Sequence, residues 1–359
     1  MSYSKLLQTF AKRLRQARAR EKISMDELCE RMDGKVSKQS ISKYERGIMM
    51  PSNGILQKLA NSLHVDVEYL LRPFAFDLGQ VSMSFRKKAS MGKKDVLALQ
   101  IQIQDEIERR IKIDEIMGCK PPKVPPVVCG VVSDIEDIIG QAEWIRNYCG
   151  LGIAPIVNVI DFLEQWGVKV ILTDAPAAFD GLSGKFNDNQ FFIVLNRNTT
   201  NIERRRLTAL HEACHLLFHE KFSPDLTPRE VENLCNTFAN EFLFPRSVAR
   251  DIVDTTRPLS LDYLILIQRR YGISVDAIMF KLHQMAMIDD RRYRNFCIRK
   301  STNPKFKHAV ETSLFKEFFI DVFEAQIYDA LNQQLITTAL AAELMKCDVE
   351  EVKSHRNSL

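Results

Sequence analysis

Residues 204–220 read RRRLTALHEACHLLFHE, and within them His211, Glu212 and His215 form the pattern H-E-x-x-H. On a helix, residues four apart stand one above the other on the same face, so both imidazoles can reach one point. Such a pair holds zinc, and the glutamate beside it can act on water as a general base. Ordinary residue frequencies would produce the pattern by chance in a chain of this size on the order of once in a hundred. The context sharpens the case. Leu207, Leu210, Cys214, Leu217 and Phe218 give the same helix an apolar face, which sets the histidines at the edge of a core.

Catalytic zinc takes three protein ligands and keeps one position open. A later helix must bring the third ligand, and PREVENLCNTFANEFLFP, between Pro228 and Pro245, offers two carboxylates. Glu232 has Asn236 one turn on, a residue that could orient a ligand histidine. Glu241 lies nine residues from Glu232, on the far side of the same helix, so only one of them can face the metal. Spacing alone does not choose; the Glu-x-x-x-Asn arrangement favours Glu232. His219 reads as a helix-end residue rather than a ligand. With zinc polarising a scissile carbonyl and lowering the pKa of bound water, Glu212 would accept a proton and pass it to the leaving amine. The plainer alternative for Glu212 is an ion pair with Arg205 or Arg206.

A second constellation sits near the start. SMDELCERM opens with Ser24 three residues before Glu27, a capping box, and DGKVS makes a turn before SKQSISKYERG. Two short helices joined tightly, the second rich in small polar and basic residues, suit a helix-turn-helix. Lys38, Gln39, Ser40, Ser42 and Lys43 would face outward, with Ile41 and Tyr44 inward. Gln39 suits a base edge; Lys38, Ser40 and Lys43 suit phosphates. A small helical protein-interaction domain fits the same pattern.

The elements that must position these residues follow from periodicity. Phe10, Leu14 and Ala17 recur at helical spacing in FAKRLRQARAREKI, and PSNGILQKLANSLHVDVEYLL gives two more short helices. GKKDVLALQIQIQDEIERRIKIDEIMG predicts one long amphipathic helix. CKPPKVPPVV, with four prolines, predicts an extended linker and a domain boundary. Beyond it, DIEDIIGQAEWIRNYCGL and IVNVIDFLEQWG read as helices, VKVILT and QFFIVLN as strands. After 256 the pattern is helical throughout, with LSLDYLILIQRRYGI, SVDAIMFKLHQMAMI and two or three further helices.

At 359 residues, 45% hydrophobic and 27% charged, the chain has the composition of a soluble globular protein of two or three domains. The net charge of +4 decides little, but Lys12, Arg13, Arg15, Arg18, Arg20 and Lys22 form a basic cluster. It is compatible with nucleic acid or with a solvated helix face. None of the eight cysteines forms a C-x-x-C pair, and they read as reduced core residues. MSYSKLLQTF lacks the apolar run of a signal peptide and no later stretch could span a bilayer, so a cytoplasmic location is the expectation.

Two family resemblances rest on these motifs. FAKRLRQAR, SMDELCERM, SISKYERGIMMPS and LQKLANSLHVDVEYLL resemble the lambda-repressor-like (XRE) helix-turn-helix domain. LNRNTTNIERRRLTALHEACHLLFH and VENLCNTFANEFLFP resemble the ImmA/IrrE family of zinc metallopeptidases. The second resemblance implies zinc on His211, His215 and Glu232, Glu212 as general base, and a DNA-binding repressor as substrate.

The expectation is therefore a mainly α protein in four parts. These are an all-α helix-turn-helix domain at 1–72, a helical and proline-rich linker at 73–132, an α+β zincin-like metallopeptidase domain at 133–255, and a helical C-terminal region at 256–359. It would bind operator DNA, as a homodimer if the site is palindromic. Its peptidase would cut a repressor, a toxin-antitoxin component, or this chain's own linker, under stress or on mobile-element induction. The competing expectation is a transcription factor or antitoxin whose peptidase-like domain only senses metal or a ligand.

Overall fold

The computed structural model describes residues 2–76, 82–83, 92–119, 124–127, 130–186, 190–317 and 321–357. The protein is mainly helical, with its strands gathered in one α+β region that follows an all-α N-terminal part in the sequence. Its contacts divide it into two compact units. One draws on Met1–Val81, Lys87–Lys120 and Asp321–Leu359, the other on Ser82–Arg86 and Pro121–Ile320.

The first unit opens with α1 (Tyr3–Arg20), α2 (Met25–Arg31), α3 (Lys38–Glu45), α4 (Asn53–Ser62) and α5 (Val67–Leu71). Phe10, Leu14 and Ala17 of α1 are fully buried with Leu28, Ile41, Leu59 and Leu70. The Ser24–Glu27 capping box forms at the start of α2. Between α2 and α3 the chain turns through Asp33 and Gly34, both left-handed, at φ 55° and 67°. Aspartate tolerates that conformation and glycine prefers it.

α6 (Lys93–Met117) is the long helix expected after this domain, but it is not amphipathic in the ordinary sense. It buries Leu99, Ile103 and Ile107 together with Gln104, Asp105, Glu108 and Arg109, on several sides. Buried charges need partners. Arg13 of α1 meets Glu108 at 2.6 Å, and Arg72, just past α5, meets Asp105 at 2.7 Å.

The second unit contains β1 (Ser82–Met83), α7 (Ile135–Tyr148), α8 (Val159–Gln165), β2 (Val168–Thr173), β3 (Gly181–Phe186) and β4 (Gln190–Asn196). It continues with α9 (Ile202–Phe218), α10 (Pro228–Leu243), α11 (Arg246–Ile252), α12 (Leu261–Tyr271), α13 (Val275–Gln284), α14 (Asp290–Thr302) and α15 (Pro304–Glu311). The sheet runs β1-β3-β4-β2. β2 lies parallel to β4, β3 antiparallel to β4 with Ser183 opposite Ile193, and β1 antiparallel to β3. β2 and β4 are legible in the sequence as β-branched and aromatic runs. β3, GLSGKF, is not, because two glycines and a lysine leave it little strand propensity.

α9 lies across β3 and β4 with α10 packed against it. Leu210, Cys214 and Phe218 of α9 share one apolar core with Phe238 and Phe242 of α10 and Ile193 and Leu195 of β4. That core also takes in α12 and α13, through Leu264, Tyr271, Ile278 and Leu282.

The chain then returns to the first unit. α16 (Val322–Asn332), α17 (Thr338–Met345) and α18 (Val349–Asn357) bury Phe323, Ile327, Leu331, Leu344 and Val352 around Ile113 of α6. Lys346 reaches Asp105 at 2.6 Å. Among the described residues five helices thus follow α13 where two or three were expected, and those after 320 pack with the N-terminal residues rather than with 256–320. Of the eight cysteines, seven lie among the described residues and all are free. Cys214 and Cys235 are buried, as the core reading required, while Cys119 and Cys297 are exposed. No helix among the described residues is long and apolar enough to cross a membrane.

Candidate metal centre and nucleic-acid helix

α9 begins at Asn201, whose side chain accepts from the Arg204 backbone N–H, and α10 begins with a Thr227–Glu230 capping box and Pro228 in its first turn. These caps fix the phase of two packed helices. His211 and His215 of α9 turn their Nε2 atoms toward a common point, 3.2 Å apart. Glu232 of α10 reaches the same point, with carboxylate oxygens 3.4 Å from His211 Nε2 and 3.7 Å from His215 Nε2.

Two ligands of a tetrahedral zinc ion stand about 3.3 Å apart, given bonds of about 2.0–2.1 Å. The two Nε2 atoms stand at such a spacing, and Glu232 brings a different oxygen near each, Oε2 to His211 and Oε1 to His215; two imidazoles with one carboxylate are a donor set zinc accepts. His215 is 6% exposed and Glu232 34%, so the cluster is walled on the α9 side and open beside the carboxylate.

The outer partners come from α10 as well. Asn236 Oδ1 lies 2.8 Å from His211 Nδ1, and Cys235 Sγ lies 3.4 Å from His215 Nδ1. With both Nδ1 atoms donating, each Nε2 presents its lone pair to the shared point. Glu232, Cys235 and Asn236 are spaced i, i+3, i+4, which puts the carboxylate and the two imidazole partners on one face. Sequence spacing anticipates Asn236 in this place; Cys235 reads there only as core.

Glu241 points elsewhere. It accepts from Lys281 Nζ at 2.5 Å and from the Arg246 backbone N–H at 2.6 Å, buried among structural charges. Burial pushes the Lys281 ammonium below its usual pKa, against the pull of Glu241. His219 is exposed at the C-terminal cap of α9, outside the cluster.

Glu212 is 6% exposed, and its Oε2 accepts from Ser183 Oγ of β3 at 2.7 Å. Arg206, weighed above as a partner for it, is committed elsewhere. That guanidinium meets Glu317 at 2.5 Å and donates to the backbone carbonyls of Ile156 and Gly272.

In the first unit, α3 starts at Ser37, whose side chain caps the Ser40 N–H. Lys38, Gln39 and Lys43 are exposed and Ser40 and Ser42 half-buried, while Ile41 and Tyr44 face the core. Lys38 reaches back to Asp26 of α2 at 2.6 Å. The basic cluster at 12–22 is largely structural. Arg13 is buried on Glu108, Arg18 binds Glu45 through two nitrogens, and Arg20 donates to the carbonyls of Leu63 and His64. Lys22 pairs with Asp95 and Arg15 bonds the Glu45 carbonyl, while Lys12 lies exposed on the surface.

A capped helix-turn-helix in one unit, and in the other an H-E-x-x-H helix laid across a small mixed sheet, define a DNA-binding module joined to a metallopeptidase-type module. Comparison with known families gives the same division. Residues 14–70 match the helix-turn-helix family, and residues 163–283 match the IrrE N-terminal-like domain of a peptidase family. The chain is thus a fusion of those two domains. The second match runs from α8 through α13, past the limit at 255 expected from sequence. Among curated proteins no match is found.

Proposed function

We propose that this chain is a DNA-binding regulator whose second domain is a zinc-dependent endopeptidase acting on a repressor-type protein or on itself. The gathering of His211, His215 and Glu232, whose ligand atoms lie within 4.8 Å of one another, with Glu212 on the same helix as both histidines, carries the reading. Zinc held by His211, His215 and Glu232 would supply Lewis acidity toward a peptide carbonyl and a lowered pKa for water. Glu212 takes the proton of the attacking water on its carboxylate. It then delivers that proton to the leaving amine nitrogen as the C–N bond breaks. Ser183 fixes the rotamer of Glu212, and Asn236 and Cys235 hold the ligand imidazoles.

Lys38, Gln39, Ser40, Ser42 and Lys43 on α3 are proposed to contact DNA, Gln39 at a base edge and the lysines at phosphates. The residues up to 72 then serve as the operator-binding domain, and two copies on a palindromic operator would match its symmetry.

The test is elemental analysis of the purified protein together with two variants. About one zinc per chain is expected, lost in Glu232→Ala and kept in Glu241→Gln, which spares the shape of the buried Lys281 partner. Glu212→Gln should keep the zinc and the DNA affinity and lose cleavage. A Glu212→Gln strain with full regulatory output would make the domain a metal or ligand sensor instead.

A further inference from the structure

The stretch 291–310, RRYRNFCIRKSTNPKFKHAV, carries seven lysines and arginines and no aspartate or glutamate. The whole chain has a net charge of +4, so the remaining residues are net acidic. The stretch forms most of α14 and α15, joined through Asn303 and packed on each other through Phe296 and Phe306, whose ring centroids lie 5.9 Å apart. It belongs to neither family match, since these cover 14–70 and 163–283.

Some of its cations are structural. Arg292 donates to the carbonyls of Thr255 and Arg257, and Lys300 lies 2.6 Å from Asp276 and 3.4 Å from Glu311. Arg299 lies over the Phe306 ring. The others are not so used. Arg291, Lys305 and Lys307 are exposed, and their side chains have no carboxylate or carbonyl partner among the described residues. Arg294, also exposed, has the charge of Asp290 one turn back, and that carboxylate is itself bonded to His283 at 2.6 Å. Their places run against the helix dipoles as well. Arg291 stands in the first turn of α14 and Lys305 in the first turn of α15, which has no acidic residue there. Cations are favoured at the other end of a helix. Like charges placed in this way lower stability until an anion outside the chain neutralises them.

Duplex DNA is a polyanion with about one charge per 1.7 Å of its axis. With 13 residues, α14 is about 20 Å long, so the stretch can pass several phosphates at once. The helix-turn-helix match at 14–70 makes DNA the polyanion that this chain meets. We infer that α14 and α15 form a second DNA-contacting surface, which binds the phosphate backbone without reading sequence, through Arg291, Arg294, Lys305 and Lys307. This rests on the DNA-binding reading above and adds to it a contact in the unit that holds the metal centre. Phosphate contacts supply affinity and position, while base reading stays with α3.

The experiment measures binding of zinc-loaded full-length protein, in the Glu212→Gln background so that no cleavage intervenes, to a fluorescent random-sequence duplex by anisotropy across a salt series. Arg291→Gln, Arg294→Gln, Lys305→Gln and Lys307→Gln together should weaken binding about tenfold or more at moderate salt. They should also lower the slope of log affinity against log salt by about two to four. Arg291→Lys with Arg294→Lys keeps the charge and should bind like the parent. Photo-crosslinking of the parent to the duplex, which needs no variant to fold, should give adducts within 291–308. An unchanged slope in the glutamine variant, beside a lowered one in Gln39→Ala with Lys43→Ala, overturns the inference and leaves the DNA-binding reading standing. Adducts confined to residues before 72 do the same. A parent that binds no duplex at low salt overturns both. If the glutamine variant loses binding to phosphatidylserine vesicles but keeps its duplex affinity, the surface belongs to a membrane and the inference falls.

Discussion

His211 and His215 would be poor ligands if their rings were free to spin, and α10 is built to stop them. Asn236 and Cys235 each hold one Nδ1, at 2.8 and 3.4 Å. Supports of this kind typically change metal affinity by about 10–100-fold when removed. Asn236→Ala and Cys235→Ala should each weaken zinc binding by about that factor, with Cys235→Ser recovering part of it, as read by competition with a chromogenic chelator. Unchanged affinity in both alanine variants would show that the rings are held by packing alone. At this scale the sequence is most informative where one helix carries everything. H-E-x-x-H needs only helical periodicity, and Glu232 with Asn236 needs only one more turn. Cys235 looks like core because a buried thiol and an outer-sphere thiol have the same apolar neighbours. Ser183 is invisible for another reason: it sits 29 residues before Glu212, on a strand too rich in glycine to be recognised.

Two helices show how composition can mislead about role. The basic run of α1 invites a nucleic-acid reading, yet its arginines are spent on Glu45, Glu108 and backbone carbonyls inside the unit. DNA contact is therefore proposed for α3. Gln39→Ala with Lys43→Ala should weaken operator binding by about 1–3 kcal/mol and lower the salt slope by about one ion. Equal affinity across a salt titration would remove α3 from the interface. α6 is legible as a helix from its length but not in its environment, because its buried charges read as solvent-facing. Burial alone would raise the Asp105 pKa, but the charges of Lys346, Arg109 and Arg72 outweigh it and hold the carboxyl well below the usual carboxylate range. A depressed folded pKa gives stability that is full above the unfolded value and lost as pH falls through the folded one. Glu108 shifts upward, because burial there outweighs Arg13, and so works in the opposite sense. Asp105→Asn should cost about 3–5 kcal/mol at neutral pH, where it leaves buried cations uncompensated. It should also flatten the acid side of the stability curve in urea melts, whereas an unchanged acid slope would assign that loss to other carboxylates.

Across the whole chain, the assembly of distant segments is the least legible feature. Nothing local in residues 321–357 says that they pack on α6; that pairing is a matter of complementary apolar faces and of Lys346 meeting Asp105. The result is two units, the first with one apolar cluster around Leu14 and Leu59 and another around Ile113, the second with its core around Leu210, Phe238 and Ile193. A ligand that binds only the folded form stabilises only the unit that holds it, by about 2.7 kcal/mol at a hundredfold excess over its dissociation constant. For a unit of about 200 residues that corresponds to a rise of about 5–10 °C in its melting temperature. Calorimetry of the Glu212→Gln protein, which cannot consume itself during the scan, should therefore resolve two transitions. Chelation should lower one by that amount and readdition of zinc should restore it, while the other stays fixed. Glu232→Ala should resemble the chelated protein with or without zinc. If chelation moves both transitions together, the units are thermodynamically one and metal binding is felt throughout the chain. If it moves neither, the cluster of His211, His215 and Glu232 does not hold zinc in the folded protein, whatever its spacing.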